Sequence, residues 1–126
     1  MNVSVVGYGS IGRRHARLLD ELGCKVSVVS RREVGHSNRY PVLDQVFENE
    51  TPEYVVIANR TSEHADTLKD LAALQFDGPV LVEKPLANTP LSLPAQLSEK
   101  TFVAYNFRFH PLLNDLRNRL EGKEIV

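Results

Sequence analysis

The chain has 126 residues and 14.2 kDa, 42% hydrophobic and 25% charged, which fits one globular domain able to bury a core. Fifteen basic residues against sixteen acidic ones, a net charge of −1, leave no field to attract nucleic acid or an anionic membrane, so neither is expected as a partner. Cys24 is the only cysteine, and His15, His36, His64 and His110 are scattered, which excludes an internal disulfide and leaves no metal site to expect.

In chain order, Val3 to Val6 is a β-branched run ending at Gly7 and predicts a strand. Ile11, His15, Leu18, Leu19 and Leu22 then recur at helical spacing as far as Gly23, a helix stop. Lys25 to Ser30 predicts a second strand, and Asp44 to Glu50 a short helix that Asp44 caps. Tyr54 to Ala58 is almost wholly apolar, as a parallel strand covered on both faces should be. Ser62 is the expected cap of a helix whose Ala65, Leu68, Leu71, Ala72 and Leu74 form one stripe, ended by Asp77-Gly78-Pro79. Val80 to Val82 reads as a strand, Asn88 to Lys100 as loop plus helix, Thr101 to Tyr105 as a strand, and Pro111 to Leu120 as a closing amphipathic helix. Strands alternate with helices, so the expected fold is α/β: a doubly wound parallel sheet, a Rossmann fold, in three α/β/α layers.

Gly7-Tyr8-Gly9-Ser10-Ile11-Gly12 stands where a strand hands over to a helix. There Gly7 permits a tight turn, Gly9 lets a diphosphate approach the backbone, Gly12 allows close packing, and the first helical N–H groups face the anion. The bland alternative is a glycine-rich turn that binds nothing. The second strand ends in Ser30-Arg31-Arg32 instead of an acid. A carboxylate there would accept a ribose 2′-hydroxyl and repel a 2′-phosphate, whereas a guanidinium can grip the phosphate, so NADP is expected, with NAD as the other option. A solvated basic loop is the alternative, and Glu33 just beyond the arginines favours it. Arg13 and Arg14 oppose the helix dipole and read either as a phosphate contact or as a solvated pair. Lys84, in Glu83-Lys84-Pro85, closes a parallel strand on the edge where open α/β sheets bind ligands.

The glycine fingerprint, Tyr54-Val-Val-Ile-Ala58, His64, Glu83-Lys84-Pro85 and Ala104-Tyr-Asn-Phe-Arg-Phe-His-Pro111, in this order, resemble the glucose-fructose oxidoreductase, inositol dehydrogenase and rhizopine-catabolism family, Gfo/Idh/MocA. The resemblance implies an N-terminal dinucleotide-binding domain that serves hydride transfer to or from sugars, inositols or related polyols. It implies that Lys84 contacts the reacting hydroxyl, that His64 is either a second catalytic group near the cofactor or simply a residue of its helix, and that Ala58, Asn59, Arg60, Glu83 and Asn106 lie beside the cofactor. Arg60 stands where the family usually has proline. Family members continue into an α/β domain that binds substrate, and Gly122 to Val126 falls about where its first strand begins, so residues 1–126 are expected to be the cofactor domain alone.

The leading expectation is an NADP(H)-binding domain of an oxidoreductase acting on CH–OH groups, incomplete for catalysis by itself. A noncatalytic dinucleotide-binding sensor or interaction module is the alternative, and a cofactor-free scaffold a third. The start of the chain shows no basic leader or cleavage site, and a cytoplasmic location is expected. Leu112, Leu113, Leu116 and Leu120 are expected to pack on the sheet or to pair with another copy as a homo-oligomer.

Overall fold

The computed structural model describes residues 1–123, so the sequence beyond, where a second domain's first strand was expected, lies outside the described residues. Six parallel strands run in the order β3-β2-β1-β4-β5-β6. They are β1 Asn2–Val6, β2 Lys25–Val29, β3 Arg39–Tyr40, β4 Tyr54–Ile57, β5 Val80–Val82 and β6 Thr101–Val103. Helices α1 Ser10–Glu21, α2 Leu43–Asn49, α3 Thr61–Ala73 and α4 Pro111–Leu120 complete the chain, with short 3-10 turns at Ala95–Leu97 and Asn106–Phe109. The strand order reverses between β1 and β4, which opens a crevice at their carboxyl ends.

Alternation along each strand divides the core into two faces. Val6, Val29, Val55, Ile57, Val80 and Val82 meet Leu43, Val46, Leu68, Leu71 and Leu97 on the face covered by α2, α3 and the 95–97 turn. Val3, Val5, Val26, Val28 and Val56 meet Ala16 of α1 on the other. Ser4 and Ser27, in register on β1 and β2, are the polar exceptions; their hydroxyls lie 2.7 Å apart and satisfy each other in the interior.

The residues that recur at helical spacing in α1 do not all face the sheet. Ile11, Leu18 and Leu22 are exposed, and the inward face is Gly12 and Ala16 with Leu19 partly buried. Small residues bring this helix close to the strands. Gly23 ends it as expected, in a left-handed conformation with its N–H donated to the Asp20 carbonyl and that of Cys24 to Leu19.

Other boundaries shift for identifiable reasons. Asp44 lies in the first turn of α2 and does not cap it, since the helix starts at Leu43 after an extended Val42. Ser62 is the second residue of α3, whose start is closed by the Glu63 carboxylate accepting the Arg60 backbone N–H at 3.3 Å. The helix expected within Asn88 to Lys100 reduces to the single turn Ala95–Leu97, because Pro90 and Pro94 interrupt the run. Its Leu91, Leu93 and Leu97 still pack on the core. The strand at Thr101 stops at Val103, and β3 appears where no strand was expected.

The last helix forms over its expected bounds but does not lie on the sheet. Its neighbour is the 106–109 turn, and Phe102, Tyr105, Phe107, Phe109, Leu112 and Leu116 are exposed.

Beside β2, Glu50 accepts hydrogen bonds from Lys25 Nζ at 2.6 Å, Asn38 Nδ2 at 3.2 Å and Tyr40 Oη at 3.3 Å. The Lys25 hydrogen bond, working against desolvation and helped by Asn38, holds the Glu50 carboxyl below its ordinary value. A depressed carboxyl stabilises the fold above its unfolded pKa, and that contribution is lost as pH falls through the folded value. Glu50→Gln should therefore melt below wild type at pH 7, and the gap should close below about pH 4 in circular dichroism melts.

Candidate functional site

The turn between β1 and α1 is built by close approach. Gly7 has φ +94° and donates its N–H to the Val29 carbonyl at 2.9 Å, while a Cβ on it would fall 2.5 Å from the Asn59 backbone nitrogen. A Cβ on Gly12 would overlap the Gly7 carbonyl oxygen. The third glycine thus lets the helix rest on the turn itself as well as on the sheet. Around Gly9 a Cβ would meet nothing within 4 Å. The first backbone bond of α1 runs from Arg13 N–H to the Gly9 carbonyl, and no side chain caps the helix. Among the described residues, the amides of Ser10, Ile11 and Gly12 have no backbone partner at the positive end of the helix dipole.

That helix start opens on a groove of about 1020 Å³ between the carboxyl ends of β1, β2 and β4. Gly7, Tyr8 and Gly9 line it together with Ser30, Arg31 and Arg32 from the end of β2 and Ala58, Asn59 and Arg60 from the end of β4. Twelve of the expected site residues converge because the topology brings three strand ends to one edge; nine of them form these walls, with Ser10, Ile11 and Gly12 at the adjoining helix start. Asn59 Nδ2 donates to Thr67 Oγ1 at 2.9 Å, and its Oδ1 is buried with no partner among the described residues.

Arg31 and Arg32 are exposed, and their guanidinium groups have no ion-pair partner among the described residues. Ser30 Oγ donates to the Arg32 carbonyl at 3.0 Å and accepts the Arg32 N–H at 3.2 Å, so its hydroxyl closes the turn that carries both arginines. Glu33, the acid just beyond the arginines, is held by Arg39 Nη1 at 2.8 Å.

The remaining expected residues sit further along the same sheet edge. Lys84 follows β5, is exposed and has no hydrogen-bonded partner among the described residues, and the peptide to Pro85 is cis. Glu83 Oε1 accepts a hydrogen bond from His15 Nε2 at 2.7 Å, a bridge from α1 to the Lys84 loop. His64 is 1% exposed. Its Nδ1 lies 3.0 Å from the Pro85 carbonyl and 3.2 Å from that of Leu86, and its Nε2 lies 3.3 Å from the Asn59 carbonyl. Expected as a second catalytic group, it is buried between two loops and positions them. Asn106 is exposed on the turn after β6, outside the groove walls; the sheet places it beside the end of β5, where Ala104 N–H bonds the Val82 carbonyl at 2.8 Å. Arg13 and Arg14 are exposed.

Among the described residues no group of His, Cys, Asp and Glu is arranged to hold a metal ion, and no helix is long and apolar enough to cross a membrane.

A glycine turn under a bare helix start, at the reversal point of a 3-2-1-4-5-6 parallel sheet, defines a dinucleotide-binding domain. The chain belongs to the Gfo/Idh/MocA family: the profile of this oxidoreductase family with an NAD-binding Rossmann fold matches residues 1–97. No curated protein sequence matches the chain. Among solved structures it is similar to the WlbA (WbpB) dehydrogenase from Thermus thermophilus in complex with NAD and UDP-GlcNAcA, with TM-score 0.79 and 19% identity over 100% of this chain and 48% of that one. It is also similar to GenD2 from gentamicin A biosynthesis in complex with NAD, with TM-score 0.76 and 27% identity over 97% of this chain and 39% of that one. A third is the UDP-N-acetylglucosamine 3-dehydrogenase GnnA from Acidithiobacillus ferrooxidans, with TM-score 0.71 and 21% identity over 94% of this chain and 43% of that one. The chain thus spans less than half the length of each.

Proposed function

We propose that the chain is the NADP(H)-binding part of an oxidoreductase that moves hydride between the nicotinamide and a CH–OH carbon of a sugar, inositol or related polyol. The observation that carries this reading is the set of unpartnered amides at the start of α1 in the same groove as the exposed Arg31 and Arg32. The amides of Ser10, Ile11 and Gly12 hold the diphosphate, with Gly9 leaving room for it. Arg31 and Arg32 take the additional phosphate on the adenosine ribose, on a turn shaped by Ser30. Tyr8, Ala58, Asn59 and Arg60 line the groove beside the cofactor.

When bound, the nicotinamide supplies the hydride acceptor or donor. Lys84 hydrogen-bonds the reacting hydroxyl and takes up or returns its proton. Glu83 through His15, and Pro85 and Leu86 through His64, hold that lysine's loop, and Asn106 lies on the turn that follows β6. The substrate class favoured is a nucleotide sugar or an aminosugar, since UDP-GlcNAcA lies in the WlbA structure, GnnA is a UDP-N-acetylglucosamine dehydrogenase and GenD2 belongs to gentamicin A biosynthesis. Residues outside this chain complete the substrate site in this reading.

Titration of the purified chain with NADPH and with NADH, followed by nicotinamide fluorescence, tests the cofactor assignment. NADPH should bind about tenfold more tightly or better. Equal binding of the two, or none, overturns it.

A further inference from the structure

The two arginines that line the groove are carried by a turn that a third arginine holds from behind. Arg39 belongs to the two-residue strand β3 and has a side chain only 18% exposed. Its guanidinium spans three acceptors of the turn: Nε bonds the Ser30 carbonyl at 3.1 Å, Nη2 the Arg31 carbonyl at 3.3 Å, and Nη1 the Glu33 carboxylate at 2.8 Å. The backbone adds a bond from Ser30 N–H to the Tyr40 carbonyl at 2.9 Å, so β3 and the turn are joined along both main chain and side chain.

Two consequences follow from this fork. A planar guanidinium with three acceptors in fixed directions locks the peptide planes on either side of Arg31, which a flexible ammonium could not do. Pairing with Glu33 also holds the one carboxylate of the turn to a cation. Left free, that acid would stand two residues from Arg31 and lower the local potential that an extra phosphate needs.

We propose that Arg39 is a specificity-determining positioning residue: it fixes the Ser30–Arg32 turn and pairs with Glu33, so that the groove accepts a dinucleotide with a phosphate monoester on its adenosine ribose. The inference rests on the reading of Arg31 and Arg32 as the phosphate-binding pair. Arg39 need not touch the ligand. It acts through the backbone that presents the two exposed arginines and through the acid it pairs with.

The test is a set of nicotinamide-fluorescence titrations with NADPH and NADH on wild type, Arg39→Gln, Arg39→Lys, Glu33→Gln and the double variant Arg39→Gln/Glu33→Gln. Arg39→Gln should weaken NADPH about tenfold while NADH changes about twofold or less, the loss expected from removing hydrogen bonds made by a charged group. The double variant should recover part of that loss, because the freed acid is gone. Arg39→Lys, which keeps the ion pair and loses the fork, should fall between wild type and Arg39→Gln, and it serves if Arg39→Gln does not fold. An unchanged NADPH-to-NADH ratio in the Arg39 variants, with wild type preferring NADPH, overturns this inference alone. A wild-type chain that does not discriminate removes the reading of Arg31 and Arg32, and this one with it.

Discussion

Gly9→Ala should lose cofactor binding and keep its fold, whereas Gly12→Ala should lose both. A Cβ at Gly9 meets nothing within 4 Å, and the residue's φ of −73° suits alanine. The only cost to the folded chain is a poorer helix N-cap, about 1 kcal/mol. In the proposed binding mode the new methyl group stands where the diphosphate approaches the Ser10 to Gly12 amides, and affinity should fall by more than about tenfold. At Gly12 the same methyl group would overlap the Gly7 carbonyl oxygen and fall 2.9 Å from its carbon, both backbone atoms. Relief requires α1 to lift off the turn, at about 3 kcal/mol or more and roughly 10 °C in melting temperature. Circular dichroism melts beside nicotinamide-fluorescence titrations separate the two outcomes. Wild-type affinity in Gly9→Ala would put the diphosphate elsewhere, and a wild-type melt for Gly12→Ala would contradict the packing of the turn.

Arg31→Ala/Arg32→Ala should weaken NADPH about a hundredfold and NADH only a few-fold. Each guanidinium lost from a phosphate monoester removes about 1.5–3 kcal/mol of charge-assisted hydrogen bonding, and each 1.4 kcal/mol is about a factor of ten. Both side chains are exposed, so the melting temperature should hold. The salt dependence of NADPH binding should flatten in the variant, since fewer phosphate contacts remain to be screened. A loss of equal size for both cofactors would mean that the arginines act on the shared diphosphate instead of the ribose phosphate.

The central strands could be recognised in the sequence because parallel strands covered on both faces need continuous Val and Ile, and Val3–Val6, Tyr54–Ile57 and Val80–Val82 supply them. The orientation of α1 could not. Its contact face is Gly12 and Ala16, which carry little hydrophobic weight and matter because they are small, while the heavier Ile11, Leu18 and Leu22 turn outward. Strand β3 is two residues long and has no period to detect. The loop at Asn88–Pro94 has enough leucine to suggest a helix, yet its prolines prevent one.

At the site, the glycine turn and the strand-end residues could be placed from motif and order, since both depend on local chain geometry. Arg39 could not, because its partners become neighbours only when β3 pairs with β2. The same pairing explains why Glu33, beside two arginines in sequence, is tied to a third. His64 matched a family position, but its burial between the Asn59 and Pro85 carbonyls depends on α3 lying under both loops. Its partners are main-chain atoms, which leave no trace in residue identity.

The bridge between His15 and Glu83 joins the second turn of α1 to the segment preceding Lys84. One side-chain contact, between residues 68 apart in sequence, thus ties the helix that follows the glycine turn to the loop that carries the lysine.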